Sequence, residues 1–239
     1  MDINSDMGEI SRLLDDGTYT RLMDYVTSIN VACGGHAGNE AMMGEMIRLA
    51  NEKGVKVGAH PSYPDRENFG RLKLDMESEE LLSSICSQVY SLLKIAEEEN
   101  ISVSHIKPHG ALYNQAAKDA QVARVIGDAV DRIDPHLNIM CLSGSLMVRV
   151  LEDMGLKVVQ EAFADRTYER NGSLRNRNLD HALITSPQKA ADQARLIIER
   201  NKVIAFDGSE VSIEAQTICI HSDTPNAVAI AEEVSTSIR

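Results

Sequence analysis

SEELLSSICSQVYSLLKIAEEENISVSHIKPHG, residues 78–110, is the stretch that decides the fold. Apolar residues recur at three- and four-residue spacing over 78–99, which predicts an amphipathic helix. A short β-rich run, SHIKPH at 104–109, follows the helix, and a similar run, VKVGAH at 55–60, precedes it. Strand, helix and strand in this order indicate a βαβ unit with parallel strands.

The same alternation extends along the chain in both directions. Further helical patterns occupy 40–53 and 187–201. Ser78 is predicted to cap the helix that it opens, and Pro187 to be a first helical residue. The remaining predicted strands are DINSD (2–6), SINVAC (28–33), LNIMCL (137–142), KVVQEAF (157–163) and TICIH (217–221).

About seven such units in a chain of 239 residues predict an α/β fold with one domain over 1–239. The predicted architecture is a seven-stranded parallel β/α barrel, one unit short of the eight-stranded form. A hairpin is expected at 203–213, where Asp207 and Gly208 supply the turn. A doubly wound open sheet is the alternative.

The composition argues against several classes of partner and location. A net charge of −12 repels a nucleic-acid backbone and an anionic membrane surface. No apolar run approaches the ~18 residues of a membrane-spanning helix. The first eleven residues have no Lys, Arg or apolar segment, so we expect no secretory signal. The four cysteines form no CxxC pair, which favours reduced thiols and a cytoplasmic location.

Ionisable side chains are concentrated at the carboxyl ends of the predicted strands. In a parallel α/β fold these ends meet on one face, where ligands bind. Taken singly, a histidine there is more often structural, Asp6 or Asp223 could cap a helix, and Lys107 could extend to solvent. Taken together they predict a site, with catalytic residues Asp6, His36, His60, Lys107 and His109.

Two loops rich in arginine follow predicted strands, GAHPSYPDRENFGR at 58–71 and EAFADRTYERNGSLRNR at 161–177. An arginine in either loop could bind a substrate carboxylate through two parallel hydrogen bonds. The alternatives are an inert cover over the barrel mouth and a solvated charge cluster. The predicted substrate-binding residues are Glu9, Asp65, Arg66, Arg71, Glu161, Asp165, Arg166, His221 and Asp223.

Several familiar motifs are missing from the sequence. There is no GxxxxGK[ST] and no GxGxxG after a strand, so nothing predicts a phosphate cradle in this chain. The stretch CLSGSLM at 141–147 lacks the GxSxG elbow of a serine nucleophile. HExxH is also absent, although His36, His60 and His109 could assemble a mononuclear divalent-metal site with Asp6 in space.

Six motifs resemble those of the LamB/YcsF family. They span nearly the whole chain: NSDMGE (4–9), NVACGGHAGN (30–39), GAHPSYPDRENFGR (58–71), HIKPHGALYN (105–114), EAFADRTYERNGSLRNR (161–177) and ICIHSDTPNAV (218–228). The resemblance implies a seven-stranded barrel similar to that of polysaccharide deacetylases. It also implies ATP-dependent opening of 5-oxoproline to glutamate, with ATP as co-substrate and with two partner subunits, B and C.

The chain departs from the usual family pattern at a few positions. Gly35 replaces an aromatic residue, Asn39 and Asn171 replace acids, and Ser222 replaces a glycine. Arg175 and Asn176 also stand where the family usually has a small apolar residue and a proline.

Opening a lactam requires a nucleophilic water, a stabilised oxyanion and a proton for the ring nitrogen. We expect Asp6 with His60 or His36 to activate the water, and His109 to protonate the nitrogen. We expect Lys107 to face the oxyanion. The alternatives are a stand-alone metal-dependent hydrolase of amide or acetamido groups and a non-catalytic substrate-binding subunit.

Overall fold

The computed structural model describes residues 1–238, and seven parallel strands within them close into a barrel. Each strand pairs with the next along the chain, and the last lies between the first and the sixth, where Ile218 is opposite both Ile3 and Ala162. The predicted seven-stranded barrel is therefore confirmed. Its strands are β1 (Asp2–Met7), β2 (Ser28–Ala32), β3 (Lys56–His60), β4 (Val103–Ile106), β5 (Asn138–Leu142), β6 (Lys157–Phe163) and β9 (Thr217–Cys219).

A two-stranded antiparallel hairpin is inserted between the sixth and the last barrel strand. Its strands are β7 (Lys202–Ile204) and β8 (Glu210–Ser212). Asp207 accepts a hydrogen bond from the Ser209 N–H, and Gly208 has a φ of 85°, a conformation that glycine adopts without strain. The hairpin predicted around Asp207 and Gly208 is confirmed.

Residues 1–238 contain nine helices, of which eight lie between strands and one follows the last strand. Pro187 opens its helix as predicted. The cap prediction for Ser78 is wrong: Ser78 is the first helical residue, Glu77 is the N-cap, and the Ser78 hydroxyl accepts from Gln121 instead. No helix of the described chain is both long and apolar enough to cross a membrane. The helices are α1 (Ser11–Asp15), α2 (Thr18–Leu22), α3 (Glu40–Lys53), α4 (Ser78–Glu98), α5 (Gly110–Ala116), α6 (Ala120–Ile133), α7 (Leu146–Asp153), α8 (Pro187–Arg200) and α9 (Ala227–Ser237).

The barrel interior is polar, whereas the layer between strands and helices is apolar. Side chains of a strand point alternately to its two faces. On β2, Ile29 and Val31 belong to the apolar core, while Asn30 donates to Asn4 across the interior at 2.8 Å. His105 from β4 lies 2.7 Å from the same Asn30 through Nε2. These interior hydrogen bonds support the side chains of the candidate site from inside the barrel.

Gly58 in β3 leaves the space that His105 fills. A Cβ at position 58 would lie 2.0 Å from His105 Nε2, and His105 is buried and cannot move aside. We expect Gly58→Ala to lower the free energy of unfolding by about 1–3 kcal/mol, measured by urea denaturation. The matched control is Gly44→Ala in α3, where a Cβ would meet only ordinary contacts at 3.5 and 3.7 Å. The free energy of unfolding of the control should rise by about 0.5–1 kcal/mol. Equal changes in the two variants would contradict the explanation that His105 fills the space beside Gly58.

Candidate active site

The centre of the site is a lysine held between two buried carboxylates. Lys107 Nζ, at the end of β4, lies 2.9 Å from Asp6 Oδ1 of β1 and 2.8 Å from Glu161 Oε1 of β6. It also contacts Asn4 Oδ1 at 3.2 Å and Cys219 Sγ at 3.1 Å. Lys107 is only 3% exposed. Three strands thus bring their charged ends together inside the barrel.

Opposite charges keep these buried groups ionised. Burial opposes the charged form of Lys107, but Asp6, Cys219 and Glu161 raise its pKa well above the ordinary value. Burial likewise opposes ionisation of Asp6, yet His60 and Lys107 hold the pKa of its carboxyl well below the usual range. A charged group in such surroundings is stable only while its partner is present.

Beside this centre, Glu9 and three imidazoles form a compact buried cluster. Glu9 Oε1 lies 3.0 Å from His36 Nε2, 3.1 Å from His109 Nδ1 and 3.7 Å from His60 Nε2. His60 Nε2 and His109 Nδ1 are 3.0 Å apart, and the rings of His36 and His109 are stacked at 3.7 Å. His60 Nε2 is 3.5 Å from Asp6 Oδ2, which joins the cluster to the lysine centre.

Backbone carbonyls orient two of these imidazoles. His60 Nδ1 lies 2.7 Å from the Lys107 carbonyl oxygen, and His109 Nε2 lies 3.0 Å from that of Phe69. Phe69 has a φ of 56° although it is not glycine, a conformation that costs energy and often marks a functional site. At Gly70 a Cβ would come within 2.8 Å of the His36 side chain. Loop 61–71 therefore packs directly onto the cluster.

The cluster also perturbs its own acids and bases. Burial lowers the pKa of His36 to about 4, despite its hydrogen bond to Glu9. Burial would raise the pKa of Glu9, but hydrogen bonds with His109 and His36 hold it well below the ordinary value. Burial would lower the pKa of His60, but Asp6 outweighs it and the pKa is raised. Strongly perturbed groups in one cleft are a mark of functional sites.

A second imidazole group borders the centre on the side of β9. Asp165 accepts from the His221 N–H at 3.0 Å and from Thr224 Oγ1 at 2.6 Å, and its carboxylate lies 3.0 Å from His221 Nδ1. The ring of His221 stacks on Phe163. Ligand atoms of Asp6, Cys219 and His221 lie within 4.8 Å of one another. His221 is thus held by Asp165 and faces the same centre.

At the barrel mouth, Asp223 is bound by two arginines. Arg177 donates to its two carboxylate oxygens at 2.7 and 2.9 Å, and Arg71 donates at 2.9 Å. Burial opposes ionisation of Asp223, but Arg177 lowers the pKa of its carboxyl. Neither Asp6 nor Asp223 caps the helix that follows it, because the N-cap of α1 is Ile10 and the N-cap of α9 is Asn226.

Three of the predicted substrate-binding residues hold loops instead. Asp65 accepts from the Asn68 backbone and side chain, within one turn. Arg66 donates to the carbonyls of Gly34 and Gly38. Arg166 is buried and donates to the carbonyls of residues 182 and 175. These contacts support a structural role for all three residues, although Asp65 Oδ2 is buried without a hydrogen-bond partner and Arg66 also lines a cavity.

The prediction of functional residues missed several that the structure places at the site. One missed residue is Asn4. The polar residues at alternate positions of β1, Asp2, Asn4 and Asp6, could have predicted that this face of the strand lines a polar barrel interior. Tyr113, which donates to Glu161 at 2.7 Å, and Arg177 had no such signal, because a loop or a short helix positions them.

Three departures from the family pattern are accommodated locally, those at Gly35, Asn39 and Asn171. A Cβ at Gly35 would lie 2.2 Å from Gln88 Oε1, and Gln88 is tied to the Ser62 backbone at 3.0 and 2.8 Å. Gln88 therefore occupies the space beside Gly35. Asn39 is the N-cap of α3 and Asn171 accepts from Ser173, roles that an acid would fill equally well.

Two open cavities adjoin the site. One of about 190 Å³ is lined by Glu9, His36, Arg66 and Phe69, so it reaches the imidazole cluster from outside. A larger one of about 580 Å³ extends from Asp223 toward the start of α9. The smaller cavity leaves room for a small polar molecule to approach the imidazole cluster.

Two groups of side chains could supply metal ligands: Glu9 with His36, His60 and His109, and Asp6 with Cys219 and His221. In the second group Lys107 Nζ already lies 2.9 Å from Asp6 and 3.1 Å from Cys219, so an ammonium fills that position. The first group is free of such a cation, and its oxygen and nitrogen donors suit a divalent metal.

A closed β/α barrel with a buried ionisable centre at the carboxyl ends of its strands defines the class of this protein, because active sites of such barrels lie there. Within that class the chain belongs to the LamB/YcsF family, whose model matches residues 1–239. The resemblance seen in the six sequence motifs is thereby confirmed.

Named relatives share the whole length of the chain. A Chloroflexus aurantiacus protein, named as the A subunit of 5-oxoprolinase, is 44% identical over 98% of this chain and 92% of its own length. One of the same name from Halalkalibacterium halodurans is 40% identical over 100% and 93%. The crystal structure of a lactam utilization protein from Thermus thermophilus is 38% identical, covers 100% of this chain and 95% of its own, and superposes with a TM-score of 0.92.

Proposed function

We propose that this chain is the A subunit of an ATP-dependent 5-oxoprolinase, which opens the 5-oxoproline lactam to glutamate together with subunits B and C. The observation that carries the proposal is the buried Asp6–Lys107–Glu161 centre beside an imidazole cluster. Full-length relatives named as the A subunit of 5-oxoprolinase support 5-oxoproline as the proposed substrate. Because 5-oxoproline is a lactam, the hydrolysed bond would be a cyclic amide.

In this proposal Asp6 and His60 receive the proton of the attacking water. The low pKa of Asp6 keeps it an acceptor, and His60 Nε2 lies 3.5 Å from Asp6 Oδ2. A positioned acid or base of this kind contributes about 10²–10⁴-fold to the rate. His109 remains the proposed proton donor to the ring nitrogen, and its Nδ1 faces Glu9 and His60.

The position of Lys107 changes the role proposed for it. Its ammonium is enclosed by Asp6, Glu161 and other interior groups, so it does not face open space in the cavity. We propose that Lys107 holds Asp6 ionised and in place, and that it reaches the substrate oxyanion only if a substrate displaces one of these contacts. Turnover and stability of Lys107→Ala, compared with those of Lys107→Ala/Glu161→Gln, distinguish the two actions.

A substrate carboxylate would be bound at the barrel mouth. Arg71 and Arg177 already bind one carboxylate there, that of Asp223, and their side chains are 48% and 23% exposed. A guanidinium binds carboxylates through parallel hydrogen bonds. ATP would act on the substrate through the partner subunits, since this chain has no phosphate-binding motif.

The test is an assay of glutamate formation from 5-oxoproline. We expect turnover when the chain, subunits B and C, and ATP are all present, and none when any one is omitted. The chain alone should also leave ATP intact. Omission of this chain without loss of glutamate formation would contradict the proposal, as would steady ATP hydrolysis by the chain by itself.

A second candidate function is favoured by the Glu9 and histidine cluster alone. It is a stand-alone metal-dependent hydrolase of amide or acetamido groups, for which three imidazoles and a carboxylate are suitable ligands. This function requires neither ATP nor partners. Hydrolysis of an amide by the pure chain in the absence of ATP would support it over the first proposal.

A further inference from the structure

We propose that Glu9, His36, His60 and His109 bind one divalent transition-metal cation, with zinc as the first expectation. Cation binding can be measured without any reaction, so the inference stands or falls separately from the lactam substrate. The first observation is the spacing of the four ligand atoms. Glu9 Oε1 lies 3.0, 3.1 and 3.7 Å from nitrogens of the three rings. Atoms that bind one zinc at about 2.0–2.1 Å lie roughly 3.3 Å apart.

The second observation is that two imidazole lone pairs face each other. A carbonyl oxygen only accepts hydrogen bonds, so His60 Nδ1 and His109 Nε2, at 2.7 and 3.0 Å from carbonyls, must carry hydrogens. In the neutral rings, His60 Nε2 and His109 Nδ1 then have lone pairs, yet they lie 3.0 Å apart. Two facing acceptors need a positive charge between them.

A cation satisfies this cluster better than an added proton. One proton on His109 Nδ1 would be shared between His60 Nε2 at 3.0 Å and Glu9 Oε1 at 3.1 Å, and His36 Nε2 would need a hydrogen of its own to contact Glu9. One cation contacts all four ligand atoms at once. The carbonyls that bind the outer nitrogens of His60 and His109 are the partners that metal-binding histidines almost always have, and they fix the ring orientation.

The charge around the cluster also favours a dication. Asp6 and Glu161 are buried and contact Lys107, and the Glu9 side chain is only 5% exposed. With neutral imidazoles, these three carboxylates and one ammonium have an excess of two negative charges. Buried charges are stable only when they are compensated. A divalent cation beside Glu9 would balance the group.

A cation has a route to the cluster. The cavity of about 190 Å³ is lined by Glu9 and His36, so the ligands are reached from outside through it. When bound, such a cation supplies Lewis-acid polarisation of a water or carbonyl. In the cation-bound chain His60 and His109 would serve as ligands and would not carry the proton transfers proposed for them above. Asp6, beside His60, would be the carboxylate left to receive a proton.

The experiment measures metal in the full-length chain, purified without a histidine tag. After incubation with Zn²⁺ and exhaustive dialysis, we expect about one cation per chain by elemental mass spectrometry. Glu9→Gln keeps the side-chain size and should weaken binding at least about tenfold, since even outer partners of a metal are worth 10–100-fold. Circular dichroism of each variant verifies its fold.

The matched control is Cys219→Ser, which removes one ligand atom from the neighbouring Asp6, Cys219 and His221 group. It should bind the cation as the unmodified chain does. Substoichiometric metal in the unmodified chain, or loss in Cys219→Ser with retention in Glu9→Gln, overturns the proposal. If Glu9→Gln does not fold, the visible spectrum of the Co²⁺-loaded unmodified chain decides: a thiolate charge-transfer band overturns the assignment, and its absence in a stoichiometric complex supports it.

Discussion

Lys107→Ala is expected to slow glutamate formation strongly and also to destabilise the chain. Removal of the ammonium leaves Asp6 and Glu161 buried without their shared cation. Breaking a buried pair in this way costs about 3–5 kcal/mol, which lowers the melting temperature of a chain of this size by roughly 10 °C. Loss of the support for Asp6 should lower kcat by about 10²–10³-fold. Thermal unfolding and steady-state kinetics on the same preparation measure both effects.

The double variant Lys107→Ala/Glu161→Gln separates catalysis from stability. Glutamine removes one of the uncompensated charges and keeps one of the two oxygens, which can accept from either Asn4 or Tyr113. We expect the melting temperature to recover in part while turnover stays low. Glu161→Gln measured alone completes the double-mutant cycle. If turnover recovers in step with stability, or if folded Lys107→Ala turns over normally, Lys107 has only a structural role.

Much of the fold could be predicted because its signals are local. Helix α4 is indicated by its periodicity, and β3 and β4 by short β-rich runs on either side of it. The site followed from topology, since parallel strands bring Asp6, His60 and Lys107 to one end whatever the details of packing.

The parts of the site that could not be predicted depend on contacts between residues far apart in the chain. Arg66 and Arg166 carry the same charge as Arg71, and only the loop conformation shows that backbone carbonyls take up the first two. Arg177 pairs with Asp223 across 46 residues, with no periodic pattern to indicate the pair. Glu9 was predicted to bind substrate, yet its contacts with the imidazoles are set by the turn after β1. Loop geometry of this kind has no local signature.

Asp6→Asn is expected to lower kcat of the three-subunit complex by about 10²–10⁴-fold, with a smaller change in KM. Asparagine keeps the Oδ1 atom that accepts from Lys107 and Asn30, so the barrel interior retains its hydrogen bonds. What it loses is the charge that accepts a proton beside His60. A loss confined to kcat would therefore place Asp6 in the reaction, because an interaction used only in the transition state acts on kcat.

The control is Asp2→Asn on the same strand. Asp2 and Asp6 are the same residue type four positions apart, but Asp2 accepts from Thr27 and Ser28 at the opposite end of the barrel. Its substitution should cost stability through those hydrogen bonds, about 1 kcal/mol each, and leave kcat unchanged. An unchanged kcat in Asp6→Asn, or an equal fall in both variants, would show that Asp6 supports the barrel without taking part in proton transfer.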